Sequence, residues 1–415
     1  MRLILIAAGL IDMSGHHYME ARAFKETATQ NGQECTILAH REIKDTIRDE
    51  LGALPLFQLT PYQRLFHKWW LGQFLDFRVY GQMMCRELLN LNPGMVSASD
   101  VLVSTLTKAR DMQGLALWLS RIPREKRPFV AINFMIDDIS KPGSKTGEWR
   151  FRLKPALLYR VAFSRLRQEL GNNRLLLSAG STTFAQAMTR ILGHPVLSFP
   201  IPVQHDLPTR RIDNTSAGKP PLIVFLGHMR KEKGADLIGS VIARVLEQSP
   251  DCRFLLQANP EGWEHRWRQE IGPIGAARVD IHRGEMTQDE YQDAMNRADL
   301  VLLPYNPAGY ALQTSGIFSE AMAMERISVI PEGTWMADMS RKYGGGAVIF
   351  PRFEETAMAA AVCRALQGLP DLTRDMGTIS SRWRESMGMK TFLQRILDAA
   401  RPSDAASKAA LQINS

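Results

Sequence analysis

Short strand-like runs, most of them apolar, alternate with helical stretches along this chain in two series, and a proline-rich break parts the series. The first series holds residues 2–8, 34–39, 100–105, 128–135, 174–179 and a shorter run at 196–199. The second holds 222–226, 253–257, 279–283, 299–303, 327–330 and 347–350. Apolar runs of this length, bounded by turn residues and separated by helical periods, read as buried parallel strands joined by right-handed crossovers.

At 415 residues the chain exceeds one ordinary hydrophobic core. The pattern therefore predicts an α/β fold of two Rossmann-like, doubly wound domains facing a cleft, with ligands beyond the carboxyl ends of the strands. The break carries Pro200, Pro202, Pro208 and Pro220, with Asn214, Thr215, Ser216 and Gly218 between them, a linker composition. The expected division is a first domain over 1–202, a linker over 203–220 and a second domain over 221–375. A helix over 376–400 returns to the first domain, and the tail over 401–415 frays.

Composition narrows the class. Hydrophobic residues make up 45% and charged residues 23% of the chain, ordinary values for a water-soluble globular protein. Cys35, Cys85, Cys252 and Cys363 lie far apart, with neither a CxxC pair nor zinc-type spacing. They predict reduced thiols and a cytoplasmic setting. The start, Met1 to Gly9, resembles a signal h-region but reaches Asp12 too soon, so a first strand is expected there. No apolar run approaches the roughly 20 residues that span a bilayer. A net charge of +8 favours anionic ligands, but it is spread out, which argues against nucleic acid.

Four clusters bear on chemistry. Ser315 caps a helix that opens with Gly316 and Ile317, just past the apolar run 299–303 and a loop with Asn306, Pro307 and Gly309. Unpaired N–H groups and the positive dipole end at such a start suit a diphosphate, and Glu320, one turn on, suits a ribose or sugar hydroxyl. The second cluster, Gly227 to Gly234, follows another strand. Gly227 permits a sharp turn, and Arg230 and Lys233 can stabilise the charge growing on a departing diphosphate. The third is Asp12 to Tyr18, where Gly15 and the helix start after it could face the cleft and His16 or His17 could touch the transferred group or the acceptor. Adjacent histidines do not share a helix face, and no third ligand is apparent, so no metal is expected. The fourth is Asp137 with Asp138: a base for an acceptor hydroxyl, or a helix cap or turn. Separately, aromatic and basic residues mix between Tyr62 and Tyr80, suiting either core packing or an interfacial membrane contact.

On these residues the second half resembles the GT-B glycosyltransferases, particularly the group 1, family 4 type. The matching pieces are 225–234, 286–304, 315–323 and 327–331, with the Gly15 loop and the two-domain rhythm beside them. The resemblance implies transfer of a sugar from a nucleoside diphosphate sugar to a hydroxyl acceptor (a glycan, a lipid-linked acceptor or a small molecule). It implies no cofactor and no metal. By it, Gly227, His228, Arg230 and Lys233 lie at the diphosphate, Ser315, Gly316 and Ile317 hold phosphate through backbone N–H groups, and Glu320 binds the ribose. Gly284, Glu285 and Met286 lie near the base; Gly15 and His16 approach the donor; His17 and Asp137 are catalytic candidates. Lipid-linked acceptors would place the chain at the inner face of the membrane, with polysaccharide work as an extension. Two departures stand out: His228 replaces the family's usual arginine, and Leu312 replaces the first of its paired glutamates, which normally meets the donor sugar. A sugar-nucleotide epimerase and a non-catalytic nucleotide-binding scaffold are the alternatives on the same fold.

Overall fold

A computed structural model describes every residue except 14, 15, 67–70, 93, 136, 137, 140–150, 201, 203–206, 210–218, 261 and 402–415, and the side chains of residues 16 and 274. It divides into two compact units, one of residues 1–202 with 389–415 and one of 203–388.

In the first unit the order is β1 (Arg2–Ala7), α1 (His16–Gln30), β2 (Glu34–His40), α2 (Asp45–Leu51), β3 (Leu54–Phe57), α3 (Gly72–Leu89), β4 (Val101–Ser104), α4 (Ala109–Leu119), β5 (Phe129–Phe134), α5 (Leu153–Leu170), β6 (Leu175–Ala179), α6 (Thr182–Leu192) and β7 (Leu197–Ser198). All seven strands pair in parallel, in the order β3-β2-β1-β4-β5-β6-β7. The central strands β1, β4, β5 and β6 are mostly apolar and buried almost end to end, as strands with helices on both faces are. The strand order reverses between β1 and β4, which pair from Leu3 with Val101 to Ile6 with Ser104. β3 is the strand that sequence reading leaves out. It is four residues long and carries Pro55, which an edge strand tolerates because one side of its backbone has no ladder partner.

The second unit runs β8 (Leu222–Phe225), α7 (Ile238–Gln248), β9 (Arg253–Ala258), α8 (Trp263–Ala276), β10 (Val279–Arg283), α9 (Gln288–Arg297), β11 (Leu300–Leu302), α10 (Pro307–Tyr310), α11 (Gly316–Ala323), β12 (Ile327–Pro331), α12 (Trp335–Tyr343), β13 (Ala347–Phe350), α13 (Glu355–Gln367), α14 (Leu369–Arg374) and α15 (Met376–Met387). Its six parallel strands lie in the order β10-β9-β8-β11-β12-β13, the doubly wound order, with its reversal between β8 and β11.

The expected single helix over 376–400 is two. Gly388 takes an extended conformation after α15, and α16 (Met389–Ala400) follows. α15 belongs to the second unit, where Trp383 is fully buried against Trp335, Phe318 and Tyr343. α16 belongs to the first, where Phe392, Leu393 and Ile396 join Phe24 of α1 and Leu3 and Val101 of the sheet in one core.

Candidate functional site

The loops after β8 and β11 leave the second sheet at its strand-order reversal, and the sequence ties them together. Gly227 takes φ +97°, a backbone that only glycine adopts cheaply. A Cβ there would lie 2.9 Å from Ile317 Cδ1 and 3.5 Å from Lys233 Nζ. The two loops singled out from sequence therefore meet over Gly227. Gly234, at φ +75°, backs onto the Pro304 carbonyl so closely that a Cβ would be 2.4 Å from its oxygen. The Asn306 N–H donates to the Glu232 carbonyl at 2.8 Å and seals the pair.

A side chain that sequence reading passed over fixes the loop edge. The Gly227 N–H donates to Gln257 Oε1 (2.7 Å), and Gln257 Nε2 donates to the Gly284 carbonyl (3.1 Å). One buried amide thus holds the ends of β8, β9 and β10 in register. The signal was present: a lone amide closing the apolar strand Phe254-Leu255-Leu256-Gln257 has to find partners when buried.

Lys233 lies at the end of a 3₁₀ turn (Lys231–Lys233), its ammonium 5.3 Å from the centre of the buried Tyr305 ring. Burial, and then the Arg230 charge, hold its pKa below the usual lysine value, while Tyr310 acts the other way. Among the described residues Lys233 forms no ion pair. A desolvated cation over an aromatic face, without a carboxylate, is stabilised by an arriving anion. His228 is exposed on the same loop; partial burial, Arg230 and Lys233 lower its pKa, and Glu285 opposes them. It is therefore neutral near pH 7. Arg230 and Glu285 are exposed and Met286 is half-buried.

Helix α11 begins as expected. Ser315 Oγ accepts from the Phe318 N–H at 3.2 Å, and Ser315 also interacts with the Tyr305 hydroxyl, whose pKa burial pushes up to about 12. Nothing lies within 4 Å of where a Cβ on Gly316 would sit, so the helix start faces open space. The first amides of a helix lack intrahelical partners. One turn on, the Tyr291 hydroxyl of α9 donates to the Glu320 carboxylate. Burial raises the Glu320 pKa to about 6, and the Tyr291 bond resists that rise. The far end of α11 is closed by α15: Ser380 Oγ and Arg384 Nε both donate to the Ala323 carbonyl at 2.8 Å. A guanidinium there also complements the helix dipole.

Leu312, where the resemblance expects the family's first glutamate, is buried and only 1% exposed. Among the described residues no group of His, Cys, Asp or Glu side chains is placed to hold a metal ion.

In the first unit, Gly15, Asp137 and the His16 side chain lie outside the described residues. His17 is half-buried on α1, its ring packed so tightly on Gly9 that a Cβ there would be 2.3 Å from Nε2. Asp138 accepts from the Tyr159 hydroxyl at 2.9 Å. Of the aromatic stretch, Phe77 and Tyr80 are buried in α3 and Arg110 stacks 3.9 Å over Tyr80, whereas Arg64 and Arg78 are exposed. His67, Lys68, Trp69 and Trp70 lie outside the described residues. No helix among the described residues is long and apolar enough to cross a membrane.

Comparison with known proteins bears on the fold and on the second half of the chain. Residues 220–368 match the family described as glycosyl transferases group 1. No curated protein matches the chain in sequence. Among solved structures, sucrose-phosphate synthase from Thermosynechococcus elongatus aligns at 13% identity and TM-score 0.64, over 96% of this chain and 100% of that one. The E. coli trehalose-6-phosphate protein bound with UDP-2-fluoro glucose aligns at 11% identity and TM-score 0.66, over 97% and 100%. Anabaena HepE in complex with UDP aligns at 11% and 0.60, over 96% and 98%. The chain has the GT-B fold of these structures, and its residues 220–368 are similar to the glycosyl transferases group 1 family.

Proposed function

We propose that the chain transfers a sugar from a nucleoside diphosphate sugar to a hydroxyl acceptor without needing a metal. The observation that carries the reading is Lys233: a desolvated ammonium with no ion pair among the described residues, beside Gly227, which Ile317 of α11 also approaches. The donor diphosphate would lie against Lys233 and the first amides of α11, with Arg230 reaching it from the exposed edge. These groups stand ready before the sugar–oxygen bond breaks, so they stabilise the charge that develops on the leaving diphosphate without reorganising. Glu320 would accept hydrogen bonds from the ribose in its ionised form. Gly227 lets Ile317 and the Lys233 ammonium approach the end of β8 closely, and Gly284, Glu285 and Met286, anchored by Gln257, would border the base.

That two of the similar structures hold UDP or a UDP sugar supports a nucleotide donor. The acceptor reading rests on the family resemblance, with His17 and Asp137 as the catalytic candidates. The test is release of nucleoside diphosphate from UDP-, GDP- and ADP-sugars, with hydroxyl acceptors and with EDTA present. Acceptor-dependent release that persists in EDTA is expected. Conversion of the donor sugar without acceptor would favour an epimerase. Binding with no release under any condition would favour a nucleotide-binding scaffold, the outcome to which the buried Leu312 points.

A further inference from the structure

The carboxyl ends of β1 and β4, where the first sheet reverses its strand order, border a second polar group that the donor site does not use. Glu20 lies on α1, one turn beyond His17, and its Oε1 is buried with no hydrogen-bond partner among the described residues. Beside it is a cavity of ≈ 10 Å³, lined by Gly9, His17, Thr105, Pro61 and Leu106. That is room for about one water-sized group. Leu106 takes φ +56°, a left-handed backbone rare for a branched side chain. Such strain persists only where the surroundings enforce it.

The chemistry of the cavity selects its occupant. Burial pushes the Glu20 pKa up to about 7, and the Thr105 hydroxyl is the neighbour that pulls it down. A carboxyl so placed gains from a donor and repels phosphate or carboxylate groups. A cavity of one-group size admits a single hydroxyl and excludes a ring or a chain. Gly9 holds the His17 ring at its rim, because no larger residue fits beneath the imidazole. We infer that Glu20 is the hydrogen-bond acceptor for one neutral hydroxyl of the acceptor substrate, a specificity-determining contact in the first unit. The inference rests on the transferase reading above.

The test uses the full-length chain labelled with ¹³C-carboxyl glutamate, the Glu20 resonance being assigned by its loss in Glu20→Gln. The probes are glycerol, myo-inositol and the methyl glycosides of glucose, galactose, mannose and N-acetylglucosamine. At least one probe should shift the Glu20 resonance in a saturable way and lower its midpoint, since a hydroxyl donor favours the ionised form. Glu20→Gln should weaken that probe about tenfold, the loss of a charge-assisted contact, and Glu20→Asp should restore part of the affinity. UDP, GDP and ADP binding should be the same in all three chains. A resonance indifferent to every probe, or a Glu20→Gln chain that binds as the wild type does, would overturn the inference while leaving the donor site standing. Loss of nucleotide binding in the wild type would instead sink the transferase reading.

Discussion

The Tyr291 hydroxyl donates to the Glu320 carboxylate, so the group assigned to the ribose is held in place before any ligand arrives. The contact joins α9 to α11 and aligns the carboxylate by a side chain that sequence reading did not single out. Tyr291→Phe removes the donor. Glu320 then loses the group that opposes its rise in pKa, and nucleotide affinity should fall about tenfold at pH 6 and less at pH 8. Calorimetry at the two pH values checks this.

The titration of Glu320 itself gives a second outcome. Its folded pKa is about 6, raised by burial. Above that value it is ionised and accepts from ribose hydroxyls; below it, one oxygen is protonated. Nucleotide affinity should therefore fall as pH drops through about 6. Glu320→Gln should bind more weakly and show a flat profile over the same range.

Stability should move in the opposite direction with pH. Glu20 has an ordinary value of 4.5 and a folded value of about 7. Between these the folded chain holds a proton that the unfolded chain has released, so stability falls as pH rises from 4.5 to 7. The loss is roughly 3 kcal/mol once pH exceeds 7. Glu20→Gln should gain on wild type at pH 8 and not at pH 4, read as the shift in urea midpoint.

Gly227 separates a steric cause from a chemical one. Alanine there must adopt φ +97° and meet Ile317 Cδ1 at 2.9 Å. Gly227→Ala should cost about 1–3 kcal/mol of stability and abolish nucleotide binding. Trp383→Ala instead empties a fully buried site behind α11 and should cost about 3–5 kcal/mol while leaving the loop over Gly227 intact. Thermal midpoints alongside nucleotide titrations distinguish the two.

Most strands were legible because apolar runs in parallel sheets need no partner information: the run at 347–350 matches β13 residue for residue, and the more polar stretch at 279–283 matches β10 by its place in the alternation. β3 was not legible, because its pairing along an edge makes Pro55 tolerable and no local signal says so. The break at Gly388 was hidden for a similar reason. α15 and α16 share a helical period, and only the cores they enter, around Trp383 in one unit and Phe392 in the other, part them. At the site, Gly227, Lys233 and Ser315 stood out as local motifs. Gln257, Tyr291 and Arg384 did not, since each acts on a residue more than twenty positions away. Long-range hydrogen bonds leave no spacing to read.

The central claim is that Lys233 and the start of α11 hold a diphosphate. Isothermal titration of UDP against UMP, and of GDP against GMP, on wild type and Lys233→Ala tests it most directly. The account predicts that the preferred wild-type diphosphate binds at least about tenfold more tightly than its monophosphate, the scale of one charge-assisted contact, and that Lys233→Ala erases the difference. Equal affinity for the two in wild type, or a preference unchanged in Lys233→Ala, would contradict it.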